Sequence, residues 1–510
     1  MADDLALKLD SETARILQGG GEKYRSRLAE QKKLFVRDRL RLLFDGPLDF
    51  EDGLLAECLD PELPADAVVT GVGRIHGRPV AFMAADSTVK AGSWGAKSVE
   101  KLLRVQEMAL ELKIPILYLV DSAGARITDQ IKVFPGPRHG GHVFYNQVKL
   151  SGVVPQIAVL FGPSPAGAAY IPAFADVVVM VEGNASAYLG SPRMAEMAIG
   201  EKVSLEQMGG ARMHCTASGL GDVLAPDEEA AIAWVRRYLG YLPQSYLAAP
   251  EREEGRSPAS SRSLAEIIPS VASQPFDMQE AIATIVDADS FCEIKALFAP
   301  ELITGLARLG GRVVGIVANQ PKVKGGTLFN DSSDKGARFC ALCNAFNIPL
   351  LFLADVPGFM IGSQVERAGI IRHGAKLIAA VSQATVPKIS VIVRKCYGAG
   401  LYAMAGPAFG TDATLALPSG QIAVMGPEAA VNAVYANQIA ALSEEERPAF
   451  IEAKRQEYVE DIDLFRLASE LIIDAVIPFD GLRDELIRRY AVYQTKQAVF
   501  SERRNPVYPV

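Results

Sequence analysis

The chain has 510 residues, 49% of them hydrophobic and 22% charged, with a formal net charge of −8. This is too long for one ordinary core and predicts two large, well-packed globular domains. An acidic chain with no basic, aromatic-rich tract gives no support for nucleic-acid binding. No apolar run approaches the roughly 18 residues that a membrane span needs. The first residues, MADDLALKLDSETARIL, are too acidic for a transit peptide and lack the apolar run of a signal peptide. The expected location is the cytoplasm, with no membrane association. Six scattered cysteines fit a reducing compartment. Two of them, Cys340 and Cys343, form a lone CxxC with no second ligand pair, so packing is expected there and no metal site.

Residues 1–45 read as a charged helical arm, with Leu34, Leu40, Leu42, Leu43 and Phe44 spaced for one face. It serves either as a packing or oligomer element or, through Lys32, Lys33, Arg37, Arg39 and Arg41, as a basic docking surface for a partner; packing is the favoured reading. From Ala67 the chain runs strand–turn–strand, then a glycine-bearing loop (STVKAGSWGAK), a helix (SVEKLLRVQEMALEL) and a buried strand ending in SAGARI. From Ile303 the same order returns: ITGLARLGGRVVGIVAN, QPKVKGGTLFNDSSDKG, ARFCALCNAFN, IPLLFLAD and VPGFMIG. Thr70 and Thr304, Pro115 and Pro349, and Asp121 and Asp355 each stand 234 positions apart; Pro155 and Pro387, and Tyr170 and Tyr402, stand 232 apart. A period this long is a domain duplication rather than a solenoid. The Pro-, Gly- and Ser-rich run AAPEREEGRSPASSR marks the join. The expected division is an N-terminal domain over 1–250, a linker over 251–262 and a C-terminal domain over 263–510. The C-terminal end, from about Ser443, reads as charged helix.

No GxSxG, HExxH or P-loop pattern stands out. His373, in GIIRHGAKLIAA, is expected to be a hydrogen-bonded packing histidine. What recurs is a buried strand followed by a turn of small residues: VPQIAVLFGPSPAGAAY and VPKISVIVRKCYGAGLY. Backbone N–H groups of such a turn, at the start of a helix, can stabilise negative charge growing on a carbonyl oxygen. Two of them, at matched places in a duplication, fit a reaction between two carbonyl compounds.

The chain resembles the carboxyltransferase (β) subunits of biotin-dependent acyl-CoA carboxylases, of the propionyl-CoA and methylcrotonyl-CoA type. The resemblance is carried by GGGEKY, KLFVRDRL, DSTVKAGSWGAKSVEK, DSAGARI, VFYNQVKLSGVVPQIAV, PAGAAYIPA, DVPGFMIG, AGIIRHGAKL, VPKISVIVRKCYGAGLYAM and QIAVMGPEAAVN. It implies an α/β fold of two crotonase-like (ClpP/crotonase) domains built from repeated ββα units. It implies transfer of CO2 from carboxybiotin, carried on a partner's biotin carboxyl carrier domain, to an acyl-CoA. ATP and bicarbonate are used by that biotin carboxylase (α) partner. The freed biotin nitrogen takes the substrate proton, which accounts for the missing side-chain base. By position, the two backbone pockets fall on Ala166 and Gly167 and on Ala399 and Gly400. The acyl-CoA grip falls on Lys90, Ala91, Gly92 and Ser93 with Ala123, Gly124 and Arg126, and the approach of biotin on Pro357, Gly358 and Phe359. Tyr170 and Tyr402 are read as walls of the acyl pocket, with ordinary aromatic packing as the alternative. Propionyl-type chains usually place Asp where Tyr402 stands, so the acyl group stays open between propionyl and 3-methylcrotonyl. The implied assembly is a homohexamer of dimers. A decarboxylase or transcarboxylase subunit, such as that of methylmalonyl-CoA decarboxylase, is the alternative within the family. An enoyl-CoA hydratase or isomerase and a non-catalytic CoA-binding scaffold are the alternatives outside it.

Overall fold

In a computed structural model of the chain, residues 2–499, Val507 and Pro509 are described. The chain divides into two compact units, one ending at Ala249 and the next beginning at Pro250. Unit 1 opens with the arm, which forms α1 (Ala2–Leu17), α2 (Glu22–Glu30) and α3 (Val36–Leu43). Of the five basic residues of the expected docking surface, three are turned inward. Lys33 and Arg39 lie in buried ion pairs and Arg37 binds Glu51 at 2.8 Å, whereas Lys32 and Arg41 face solvent. The packing is concentrated at α3, which buries Val36, Arg39, Leu40 and Leu43, whereas most residues of α1 and α2 are exposed.

The sheet of unit 1 takes its strands in chain order: β1 (Phe50–Asp52), β2 (Val68–Ile75), β3 (Arg78–Ala85), β4 (Ile116–Val120), β5 (Gln156–Leu160), β6 (Val177–Val181) and β7 (Val223–Ala225). The first three are antiparallel and the rest parallel. β4, β5 and β6 are buried throughout, as parallel strands covered on both faces must be. The hairpin between β2 and β3 turns at His76 (φ +53°) and Gly77 (φ +73°), the two left-handed residues of a tight two-residue turn. Helix α4 (Ala96–Leu112) then returns over the sheet, burying Val99, Leu102, Leu103 and Ala109. This is one ββα unit. Next come α5 (Gly140–Leu150) and, after the sheet, α6 (Glu228–Leu239).

Unit 2 repeats the plan with β8 (Cys292–Ile294), β9 (Leu302–Leu309), β10 (Arg312–Asn319), β11 (Leu350–Val356), β12 (Lys388–Tyr397), β13 (Ala413–Ala416) and β14 (Ala475–Val476). Its hairpin turns at Gly310 and Gly311, 234 positions after His76 and Gly77. Helix α7 (Asn330–Ala345) matches α4 and packs on α8 (Ile370–Gln383). Residues 251–262 carry no regular structure but lie along this hairpin, where the Glu253 N–H donates to Gly311 O at 3.0 Å. Each unit has its own apolar core. Among the described residues, no helix is long and apolar enough to cross a membrane.

Candidate active site

In each unit three loops gather at the ends of the parallel strands. In unit 1 the first is Lys90–Ser93, where Lys90, Ala91 and Gly92 are successively left-handed, with φ of +45°, +54° and +67°. Only glycine serves at the third place, since a Cβ there would stand 2.2 Å from Asp121 O. The second is the run after β4. Ala123 N–H donates to Ala91 O at 2.9 Å, and Trp94 N–H donates to Gly124 O at 2.9 Å. The third is the turn after β5, where a Cβ on Gly124 would stand 3.3 Å from Pro165 Cγ. The predicted acyl-CoA residues and the predicted turn of unit 1 thus form one constellation.

Within it the side chains have distinct roles. Arg126 is a tie rather than a free anion receptor. Its guanidinium binds the buried Asp66 carboxylate and donates to Ser93 O at 3.0 Å, fastening the two loops together. Lys90 is exposed and paired only with Glu62 on the surface, so it remains available to a polyanion.

Unit 2 has the same arrangement. Lys324, Gly325 and Gly326 are left-handed, and Leu328 pairs with Phe359 as Trp94 pairs with Ala125. Leu328 N–H donates to Gly358 O at 3.1 Å. Gly358 has a φ of +131°, and a Cβ on Gly400 would lie 3.2 Å from its Cα. Pro357, Gly358 and Phe359 therefore adjoin the turn of their own unit.

At the offset of 232 the two turns correspond residue by residue. Ala166 has φ +53° and begins the short helix Ala166–Ala169, which runs on into Tyr170–Phe174; Gly398 has φ +54° and caps the short helix Ala399–Ala403. Counted from these, Gly167 matches Ala399, both exposed, and Ala168 matches Gly400, both buried. The expected pair Ala166–Gly167 thus stands one place earlier in its turn than Ala399–Gly400 does. The first N–H groups of a helix have no carbonyl of that helix to bind, so each turn presents main-chain donors. A Cβ added to Gly167 would meet nothing within 4 Å, whereas one on Gly400 would stand 2.9 Å from Val356 Cγ2. The turn of unit 1 is open at its second residue; that of unit 2 is packed from beneath at its third.

Tyr170 and Tyr402 follow the turns, and each is 46% exposed. Each rests against a phenylalanine, Phe144 at 6.2 Å and Phe409 at 5.2 Å between ring centroids. They are ledges beside the turns rather than core residues. His373 pairs with Asp334 at 2.8 Å between α8 and α7, away from the turns in sequence and held in place. Cys340 and Cys343 are fully buried on α7; burial pushes the Cys340 thiol up to about 12 and Cys343 well above its usual value. A cavity of about 840 Å³ in unit 2, lined by residues including Phe276, Gln421 and Phe465, contains none of the predicted site residues.

Sequence reasoning missed the charges behind the turns. Asp121 and Asp355, used only as markers of the duplication, are buried at the ends of β4 and β11, each against two cations. Burial would raise the Asp121 carboxyl, but Arg39 and Lys33 hold it below its ordinary value. Their matched spacing was the available signal; the source of the neutralising cations was not visible in it.

The carboxyl transferase domain family matches residues 28–508. The chain is 66% identical to an uncharacterized carboxylase, YngE, of Bacillus subtilis (strain 168), over 97% of each chain. It is 40% identical to the mitochondrial methylcrotonoyl-CoA carboxylase beta chain of Arabidopsis thaliana, over 92% of this chain and 82% of that one. Among solved structures, the transcarboxylase 12S subunit with methylmalonyl-CoA bound superposes with a TM-score of 0.93 at 37% identity, covering 99% of this chain and 98% of that one. The matched family, the likeness in fold to the transcarboxylase core and the paired turns agree: the chain belongs to the carboxyl transferase family of the biotin-dependent carboxylases and transcarboxylases.

Proposed function

We propose that this chain is the carboxyltransferase subunit of an acyl-CoA carboxylase acting on a short or branched acyl-CoA, propionyl-CoA or 3-methylcrotonyl-CoA. The observation that carries the reading is the pair of turns at matched places, each the start of a short helix whose first main-chain N–H groups have no carbonyl of that helix to bind. Carboxybiotin, brought by a carrier partner, would supply the CO2 and then the nitrogen that receives the acyl-CoA proton. The residues of unit 2 suit such a visitor, because Ala399 is exposed at the start of its turn and Gly358 beside it carries no side chain to block approach to the backbone.

In unit 1, Ala166 and Gly167 are proposed to direct N–H groups at the thioester oxygen as the enolate forms. Lys90–Ser93 and Ala123–Gly124 receive the CoA moiety, with Arg126 keeping those loops together. In unit 2, Ala399 and Gly400 are proposed to do the same for the ureido oxygen of biotin, with Pro357, Gly358 and Phe359 as the floor of its approach. Such donors act on the transition state because they are already oriented and need no reorganisation. An enoyl-CoA hydratase would need a free carboxylate at the turn; Asp121 and Asp355 are sealed by cations and cannot serve. The proposed partners are a biotin carboxylase that consumes ATP and bicarbonate, a carrier domain, and further copies of this chain in a hexamer. The proposed compartment is the cytoplasm.

The test combines the purified chain with a biotinylated partner, ATP and labelled bicarbonate, and compares acetyl-, propionyl-, butyryl- and 3-methylcrotonyl-CoA as acceptors. Label is expected in the product of propionyl- or 3-methylcrotonyl-CoA, and its absence from all four would sink the carboxylase reading. The likeness to transcarboxylase 12S favours a second reading, in which another acyl-CoA is the donor. That reading predicts transfer from methylmalonyl-CoA with ATP and bicarbonate left out.

A further inference from the structure

The two buried aspartates behind the turns are neutralised from different parts of the chain. In unit 2, Asp355 Oδ2 accepts from Arg394 Nε at 3.0 Å and Nη2 at 2.7 Å. Its Oδ1 accepts the backbone N–H of Lys395 at 3.2 Å, and Lys395 Nζ stands 3.5 Å away. The register of β11 and β12 slips at this point: Ala354 faces Ile392, but Val356 faces Cys396. The carboxylate fills the bulge and takes a main-chain donor that the ladder leaves over. Beyond the bulge the strand leads directly to Gly398–Gly400, packed on Val356 and Gly358.

Unit 1 has the aspartate but lacks cations at the matched places of its strand. At the offset of 232, Arg394 and Lys395 correspond to Gly162 and Pro163. Gly162 must stay small, since a Cβ would stand 1.9 Å from Asp121 Oδ1. Here the positive charge arrives from the arm: Lys33 Nζ donates to Oδ1 at 2.7 Å and Arg39 Nη2 to Oδ2 at 3.1 Å. Arg39 also grips Glu228 with two bonds of 2.7 Å, and lies 4.5 Å over the ring of Phe161. Arg394 lies 4.6 Å over Phe276 in the same manner. One electrostatic device has been built twice, in one unit from the turn's own strand and in the other from a segment more than a hundred residues upstream.

We propose that Asp121 and Asp355 are positioning residues that set each turn against its strand-end loop, and that the N-terminal arm, through Lys33, is a working part of the unit 1 turn alone. The catalytic half of the test rests on the carboxyl transferase reading; the structural half does not. Lys33→Met keeps the apolar stem and removes the charge, and Lys395→Met does so in unit 2. In Lys33→Met, amide hydrogen exchange at residues 164–169 is expected to quicken by about tenfold or more while residues 396–402 stay unchanged. Lys395→Met should show the reverse, and Lys33→Arg should restore the wild-type pattern. With carrier and acyl-CoA, Lys33→Met should lower kcat by about ten- to a hundredfold at nearly unchanged KM for acyl-CoA. Exchange unaltered at both turns, or quickened evenly through unit 1, would overturn the proposal. A wild-type chain without transfer activity would overturn the functional reading, and exchange would still decide the positioning.

Discussion

Gly167 and Gly400 look interchangeable in the sequence, yet a valine in each place asks a different question. At Gly167 the added methyls enter open space. Gly167→Val should therefore melt with the wild type while losing most carboxyl transfer, because bulk stands where the oxyanion must approach the N–H groups. Calorimetry beside the labelled-bicarbonate assay checks this, and near-normal activity would show that the turn is only a packing device. At Gly400 the methyls run into Val356 and Gly358. Overpacking of this kind costs about 1–3 kcal/mol, so Gly400→Val should lower the melting temperature by roughly 2–10 °C and its loss of activity would say little about chemistry. Tyr402 belongs to the same scale. Half exposed beside the turn and backed by Phe409, it can be changed without opening the core. Tyr402→Asp should leave stability nearly unaltered and shift the kcat/KM ratio between propionyl- and 3-methylcrotonyl-CoA; an identical ratio would remove it from the acyl pocket.

At the scale of elements, α4 and α7 show how a duplicated frame accepts different interiors. On α4, Gln106 donates to Tyr118 Oη at 3.2 Å and to Val143 O. At the matched place on α7 stands Cys340, with Phe352 opposite in place of Tyr118. The CxxC is thus the apolar version of a polar contact. Burial keeps its thiols protonated well above the range in which the unfolded chain ionises near pH 8.5. With a folded value raised above the unfolded one, their stabilising share is whole below pH 8.5 and declines as pH rises toward the folded value. Cys340→Ala should therefore show a stability curve shallower than that of the wild type by about 1.4 kcal/mol per pH unit between pH 9 and 11. Chemical denaturation across that range measures it, and parallel curves would mean that the thiol already ionises in the folded chain.

Most of this frame was legible in advance, since hydrophobic runs, hairpin glycines and the 234-residue spacing are local or periodic signals. The alignment of the two turns was less so. Ala166 and Gly398 are linked by a backbone angle rather than by residue type, and an alanine at φ +53° leaves no mark in a sequence. The pairing of Lys33 and Arg39 with Asp121 was hidden for a related reason: charge neutralisation depends on proximity in the fold, and the two units achieve it by routes of different length.

Over the whole molecule, the exposed apolar side chains are not scattered evenly in kind. Near the strand-end loops, unit 1 exposes Ile127, Ile131 and Phe134, and unit 2 exposes Ile361, Ile371 and Val424. Ile127 and Ile361 stand 234 positions apart and are 84% and 80% exposed. Large aliphatic side chains repeated at matched places beside a candidate site are what a chain leaves for another protein surface to cover. In the hexamer proposed above, further copies would cover them symmetrically. Six copies of a 54.7 kDa chain have a mass of roughly 330 kDa, and sedimentation equilibrium of the purified protein should return that value. Ile361→Asp places a charge on this surface without touching the turns or the core. It should sediment as smaller species and lose carboxyl transfer together with assembly, while melting close to the wild type. A hexamer unaffected by this change would show that the assembly uses other surfaces; a monomeric wild type with full activity would show that the turns work without it.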